Sequence, residues 1–154
     1  FADAGGSNAP MFEAYRGSDQ NINNETNTTI IFDYEKFDPD GVYNTSDGKF
    51  TVPSGKAGKY FFHAQARARD WTSNGSRILV YKNTQPQAYG SAGLSNTADG
   101  GYHTVAVTVM LDLAVGDYVL VKFWHNQGTQ KPLHGYHGSG EDWGLTYFMG
   151  YKLI

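Results

Sequence analysis

Cysteine is absent from the 154 residues, which excludes disulfides, thiolate catalysis and cysteine-ligated zinc or iron–sulfur centres. Charge of one sign is not concentrated either: 12 Lys and Arg face 15 Asp and Glu, for a net charge of −3, with no block of like residues. The long-range positive field that gathers nucleic acid or anionic lipid is therefore missing, and nucleic acid is not expected as a partner. No apolar run approaches the roughly 20 residues that a membrane-crossing helix needs. The longest candidates are broken by Thr, Asp or Lys, so no membrane insertion is expected. Helix signals are scarce, because apolar residues do not recur at three and four and Gly, Asn and Thr interrupt most stretches. Internal repeats, heptads and collagen-like tracts are absent as well.

Strand signals, by contrast, are abundant. Over residues 102–113, Val105, Val107, Val109, Leu111 and Leu113 alternate with Thr104, Thr108 and Asp112, as a half-buried strand requires. Similar runs cover residues 58–69, 76–82, 118–125 and 145–154, with shorter candidates at 11–16, 28–32, 48–52 and near 131–136. Asn74-Gly75 and Asp47-Gly48 suit tight hairpins, Gly116-Asp117 ends another connection, and Pro39 and Pro53 stand where a ladder N–H is not needed. Many short strands with regular turns predict an all-β sandwich. The length suits one domain, with residues 1–9 as a flexible lead-in and 10–154 as the folded body. A chain starting at Phe1 suggests a removed leader, and four sequons, at Asn24, Asn27, Asn44 and Asn74, favour glycosylation at an extracellular surface. Secretion is the expectation.

The residues resemble the globular head domain of complement component 1, subcomponent q, a branch of the tumour-necrosis-factor-like jelly rolls. The resemblance runs from Ala9-Pro10-Met11-Phe12-Glu13-Ala14-Tyr15-Arg16 through Ile30-Ile31-Phe32-Asp33, Phe37-Asp38 and Gly41-Val42-Tyr43-Asn44. It continues in Gly48-Lys49-Phe50-Thr51-Val52-Pro53, Gly58-Lys59-Tyr60-Phe61-Phe62, Leu111-Asp112-Leu113 and Gly116-Asp117-Tyr118-Val119, and closes on Phe148-Met149-Gly150-Tyr151-Lys152-Leu153. Two departures are local: two extra residues between Phe50 and Gly58, and Ala64 where the family usually has an aromatic. The resemblance implies a ten-stranded jelly roll assembled as a homotrimer, usually secreted and devoted to binding. It also makes calcium near the trimer apex a candidate, with Asp70, Asp117, Glu141 and Asp142 as oxygen donors. Tyr60, Phe62, Phe123, Trp124, Tyr147, Phe148 and Tyr151 offer more aromatic surface than three strands need for one interior. Most of these rings serve as ordinary core, but the set is expected to supply the trimer interface.

Residues 125–143 gather His125, His134, Tyr136, His137, Glu141, Asp142 and Trp143 among several glycines. If strands alternate in direction, the loop after Arg69, the loop at 114–117 and the loop before Trp143 emerge at one end of the sandwich. The expected ligand site is Arg69, Asp70, Trp71, His134, Tyr136, His137, Glu141, Asp142 and Trp143. Aromatic faces there would pack on the C–H face of a sugar while carboxylates, imidazoles and guanidinium groups bond its hydroxyls, and Arg67 or Arg69 would pair with an acidic sugar. Zinc on His134 and His137 with Glu141 or Asp142 is a weaker expectation, since histidines three apart in a Gly-rich loop lack a fixed geometry. Asp38-Pro39-Asp40-Gly41 reads as a turn, because Val42 and Lys49 stand where calcium donors would be needed. No Gly-x-Ser-x-Gly elbow is present, and no enzymatic activity is expected. The reading is a secreted, lectin-like pattern-recognition trimer of innate immunity for acidic or microbial glycans, in an invertebrate host by family analogy. The alternative is a trimeric receptor ligand or matrix module with no sugar site.

Overall fold

A computed structural model describes residues 8–69, 75–92, 102–135 and 144–153. Every regular element among them is a strand. In chain order these are β1 (Met11–Tyr15), β2 (Gln20–Ile22), β3 (Thr28–Thr29), β4 (Tyr34–Phe37), β5 (Tyr43–Asn44), β6 (Lys49–Thr51) and β7 (Gly58–Ala68). There follow β8 (Ser76–Lys82), β9 (Gln85–Ala92), β10 (His103–Leu113), β11 (Tyr118–His125), β12 (Lys131–Leu133) and β13 (Tyr147–Lys152). The jelly-roll expectation is met. It comes as thirteen segments rather than ten because several pieces, such as β3 and β5, pair over only two residues.

One sheet runs β2-β12-β7-β13-β1-β4, with β10 on the other edge of β7, and the second runs β5-β6-β11-β8-β9, with β3 beside β11. All the pairings are antiparallel. Alternation along the strands aims one set of side chains between the sheets. On β7, Tyr60, Phe62, Ala64, Ala66 and Ala68 are buried, and on β11 so are Val119, Val121, Phe123 and His125. Aromatic rings fill the centre: Phe12 stacks on Tyr43 at 5.0 Å and meets Phe148 edge-on at 4.9 Å, while Phe50 meets Phe62 at 5.2 Å. Ala64 leaves room for the neighbouring ring, since its register partner is Phe148.

This arrangement corrects part of the trimer-interface expectation. Tyr60, Phe62, Phe123 and Phe148 are each 0 % exposed within the single chain, so they are core and present no surface to a neighbour. Tyr147 and Tyr151 stand on the outer face of the first sheet, whereas Trp124 stands on the outer face of the second with Arg77 over its ring at 5.0 Å. The seven rings do not form one surface.

Turn expectations fare unevenly. Gly48 has φ +73°, and its N–H donates to the Asn44 carbonyl, closing the β5–β6 hairpin as expected. Asp38 makes the expected turn, its carboxylate accepting from the N–H groups of Val42 (3.0 Å) and Tyr43 (2.8 Å). Asn74 lies outside the described residues, and the strands before and after it, β7 and β8, belong to different sheets. A hairpin does form at Asn83-Thr84, joining β8 to β9, with Asn83 at φ +54°. At the open side, Gly90 of β9 lies so close to β10 that a Cβ would sit 1.9 Å from the Ala106 carbonyl oxygen.

Candidate functional site at the loop end of the sandwich

The register of β10 on β7 decides which loops meet. His103 lies opposite Ala68 and Leu113 opposite Gly58. The connection at 114–117 therefore leaves the sheet at the far end from Arg69, roughly 33 Å away along the strand. This corrects the expectation that both loops share an end and separates Asp117 from Arg69, while the other calcium candidates, Asp70, Glu141 and Asp142, lie outside the described residues. Asp117 has a local task instead. Its carboxylate accepts from the Asn83 amide (2.8 Å), the Ala114 N–H (2.9 Å) and the Lys82 ammonium (2.9 Å). Those three bonds hold its pKa down at about 2.

The other end carries Arg69, His134 and the two chain ends at Gly135 and Gly144 that flank residues 136–143. Leu133 pairs with Ala68, and Thr146 follows Gly144 closely. The buried Thr146 hydroxyl stitches these strands together, donating to the His134 carbonyl (2.8 Å) and accepting from the Arg67 N–H (3.0 Å). The His134 N–H in turn donates to the Arg67 carbonyl at 2.7 Å. The outward side chain of Arg67 lies over the Tyr102 ring at 4.5 Å, and the His134 ring lies 5.2 Å from that ring. Tyr102 thus lies between the other two, its ring tilted 38° from that of His134.

Burial pushes the His134 imidazole below its ordinary pKa; the positive charges of Arg67 and Arg69 act the same way, and Asp19 acts against them. The ring is neutral at pH 7, and its Nδ1 is buried with no hydrogen-bond partner among the described residues. Beside it, the Arg69 guanidinium meets Asp19 at 2.6 Å, and the other Asp19 oxygen accepts from the Gly135 N–H at 3.0 Å. Glycine is required at 135, since a Cβ would lie 2.0 Å from the Ser18 carbonyl oxygen.

Of the nine expected ligand residues, Arg69 and His134 are brought to one end, where Asp19 bonds both Arg69 and the Gly135 N–H next to His134. Asp70, Trp71, Tyr136, His137, Glu141, Asp142 and Trp143 lie outside the described residues. Among the described residues no group of three His, Asp or Glu could hold a metal ion. Sequence reasoning missed Asp19, Tyr102 and Thr146, which have no local motif. Asn27 and Asn44 are exposed sequon sites. Asn24 is partly buried with its side-chain amide oxygen accepting from the Gly128 N–H, and Asn74 lies outside the described residues.

The sandwich, its paired sheets and its loop-bearing end define a tumour-necrosis-factor-like jelly roll, a fold that commonly forms homotrimers and typically serves for binding rather than catalysis. Residues 11–151 match the C1q domain, and the chain belongs to that family. C1q-domain proteins are often secreted, and no helix among the described residues is long and apolar enough to cross a membrane. The fold is shared with the globular domain of zebrafish complement 1qA (17 % identity, TM-score 0.64, covering 94 % of this chain and 98 % of that one). It is shared also with Eiger TNF from S. frugiperda (10 %, 0.66, 94 % and 92 %) and with murine APRIL (13 %, 0.63, 93 % and 98 %). No curated protein sequence matches the chain.

Proposed function

We propose that this chain is a secreted, lectin-like recognition module of innate immunity that acts as a homotrimer and binds acidic or microbial glycans at the loop end of the sandwich. The observation that carries the reading is the Arg67–Tyr102–His134 cluster. It sets an aromatic ring, a guanidinium and a buried imidazole nitrogen with no partner among the described residues side by side. A buried polar atom without a partner is costly unless a ligand group completes it, and a sugar hydroxyl supplies that group. Trp71, His137 and Asp142, in segments joined to this end, would complete the site. Trimerisation would use the outer face of the first sheet, where Phe61 stacks on Tyr151 at 5.2 Å and Tyr147 packs near His63. Three shallow sites on one trimer would provide avidity for repetitive glycans.

A glycan array, with and without calcium, tests the sugar reading: binding above background supports it and a blank array removes it. Analytical ultracentrifugation tests the assembly, which a monomer at micromolar concentration contradicts. A second reading, a trimeric receptor ligand or matrix module, is favoured by the exposed Phe37 beside an apolar cleft of about 190 Å³ lined by Met11, Met149 and Tyr151. Such a cleft would face a groove between subunits. Replacing Trp71, His137 and Asp142 together with Ala abolishes partner binding under the first reading and leaves it intact under the second.

A further inference from the structure

The acids of this chain outnumber its bases, yet no strand of the second sheet contains Asp or Glu. Those strands carry Lys49, Arg77, Lys82 and Lys122. Those strands therefore carry positive charge with no carboxylate among them.

On the outward side of that sheet, cations are held over rings. Lys49 lies 5.1 Å from the Tyr118 centroid, Lys122 lies 4.6 Å from that of Tyr81, and Arg77 lies 5.0 Å from that of Trp124. The pairing follows from register. Arg77 is directly opposite Trp124, Leu120 links Tyr81 to Lys49, and Leu79 links Lys122 to Tyr89. Lys49 also meets Asp47 at 2.9 Å, and Lys82 meets Asp117 at 2.9 Å. Lys122 and Arg77 have no carboxylate partner among the described residues, and a ring orients a cation without neutralising it. Tyr89, 67 % exposed, stands at the edge of the same face.

We propose that this face binds an anionic polysaccharide. Sulfate or carboxylate groups would meet Arg77 and Lys122, with Lys49 behind them, and the C–H faces of the sugar rings would rest on Tyr89 and Trp124. A lipid surface fits less well, because Tyr89 is the only exposed large apolar side chain on the described strands of this sheet. A nucleic acid duplex fits less well because the described strands of this face carry three outward cations, Lys49, Arg77 and Lys122, of which Lys49 already meets Asp47, on a chain of net charge −3. The site is separate from the loop end and does not depend on the sugar reading of that end. A trimer built through the first sheet would leave this face outward on every subunit.

The test titrates the intact chain with dextran sulfate and with uncharged dextran at low and physiological salt. The expected result is binding of the sulfated polymer only, weakening as salt rises. Combined Arg77→Gln and Lys122→Gln substitutions lower affinity about tenfold. Tyr89→Ser lowers it several-fold. Polygalacturonate in parallel decides whether carboxylates serve as well as sulfate esters. No binding of dextran sulfate at low salt overturns the proposal, and so does wild-type affinity in the Arg77 and Lys122 variant. Equal binding of duplex DNA that ignores Tyr89→Ser overturns it in favour of a nucleic acid surface.

Discussion

Replacing Arg16 with Met removes a buried guanidinium that ties two parts of the chain together. Arg16 follows β1, is 7 % exposed, and its Nε donates to the Ser18 carbonyl at 3.0 Å. Its other nitrogens donate to the Ile31 carbonyl and to the Ser18 hydroxyl and the Asp19 carbonyl at 3.3 Å. It also faces Asp33 across 3.3 Å. Met fills much the same volume without a donor, so three backbone oxygens lose a charged partner. Orphaned acceptors of this kind cost about 1–3 kcal/mol each, but water will reach some of them, and a total near 3 kcal/mol is expected. For a domain of this size that corresponds to a fall in Tm of roughly 6–12 °C. Urea and thermal unfolding at matched protein concentration measure it.

Asp33→Asn separates the causes. The Asp33 side chain is 37 % exposed, so the ion pair alone should contribute less than about 1 kcal/mol, and its amide oxygen can still accept from the Gly17 N–H now bonded at 2.8 Å. If Arg16→Met costs under about 1 kcal/mol, or if Asp33→Asn costs as much as Arg16→Met, the carbonyl-anchoring argument is wrong.

Three other outcomes are expected. Asp117, with a folded pKa of about 2 against an ordinary 3.8, stabilises the fold above the ordinary value, and that contribution is lost as pH falls through the folded value. Asp117→Asn should therefore flatten the loss of stability in acid unfolding between these two pH values. Gly90→Ala drives a Cβ into the Ala106 backbone and should cost about 1–3 kcal/mol, read as a lowered urea midpoint. Asp19→Asn removes the carboxylate facing Arg69 while leaving an oxygen for the Gly135 N–H. Under the loop-end reading it should shift glycan-array signals towards acidic sugars, and an unchanged profile would count against a role for Arg69.

The long strands were legible because their alternation is chemical. Val105 to Leu113 and Tyr60 to Ala68 each put apolar groups on one side only. β4 (Tyr34–Phe37) was hidden because all four of its residues are exposed, and β9 (Gln85–Ala92) because Gln85, Pro86 and Gln87 carry no β-branched or apolar signal. Overlooking β9 had a geometric consequence. One strand fewer between β8 and β10 reverses the inferred direction of β10, which sent the 114–117 loop, with Asp117, to the end at Arg69 instead of the end at Gly58. The aromatic set was misallocated for a related reason: a sequence counts rings but does not say how many the space between two sheets will hold.

By itself the sequence determined the layered all-β architecture, since alternation at period two leaves each strand one face to bury, and the family's ordered motifs identify which sandwich results. It also marked Arg69 and His134 as belonging together. Only the tertiary structure decided strand direction, the inward allocation of Tyr60, Phe62, Phe123 and Phe148, and the contacts of Asp19, Tyr102 and Thr146 with Arg69 and His134. Those facts depend on register between segments distant in the chain, and no local pattern of residues encodes which distant backbone a strand will meet.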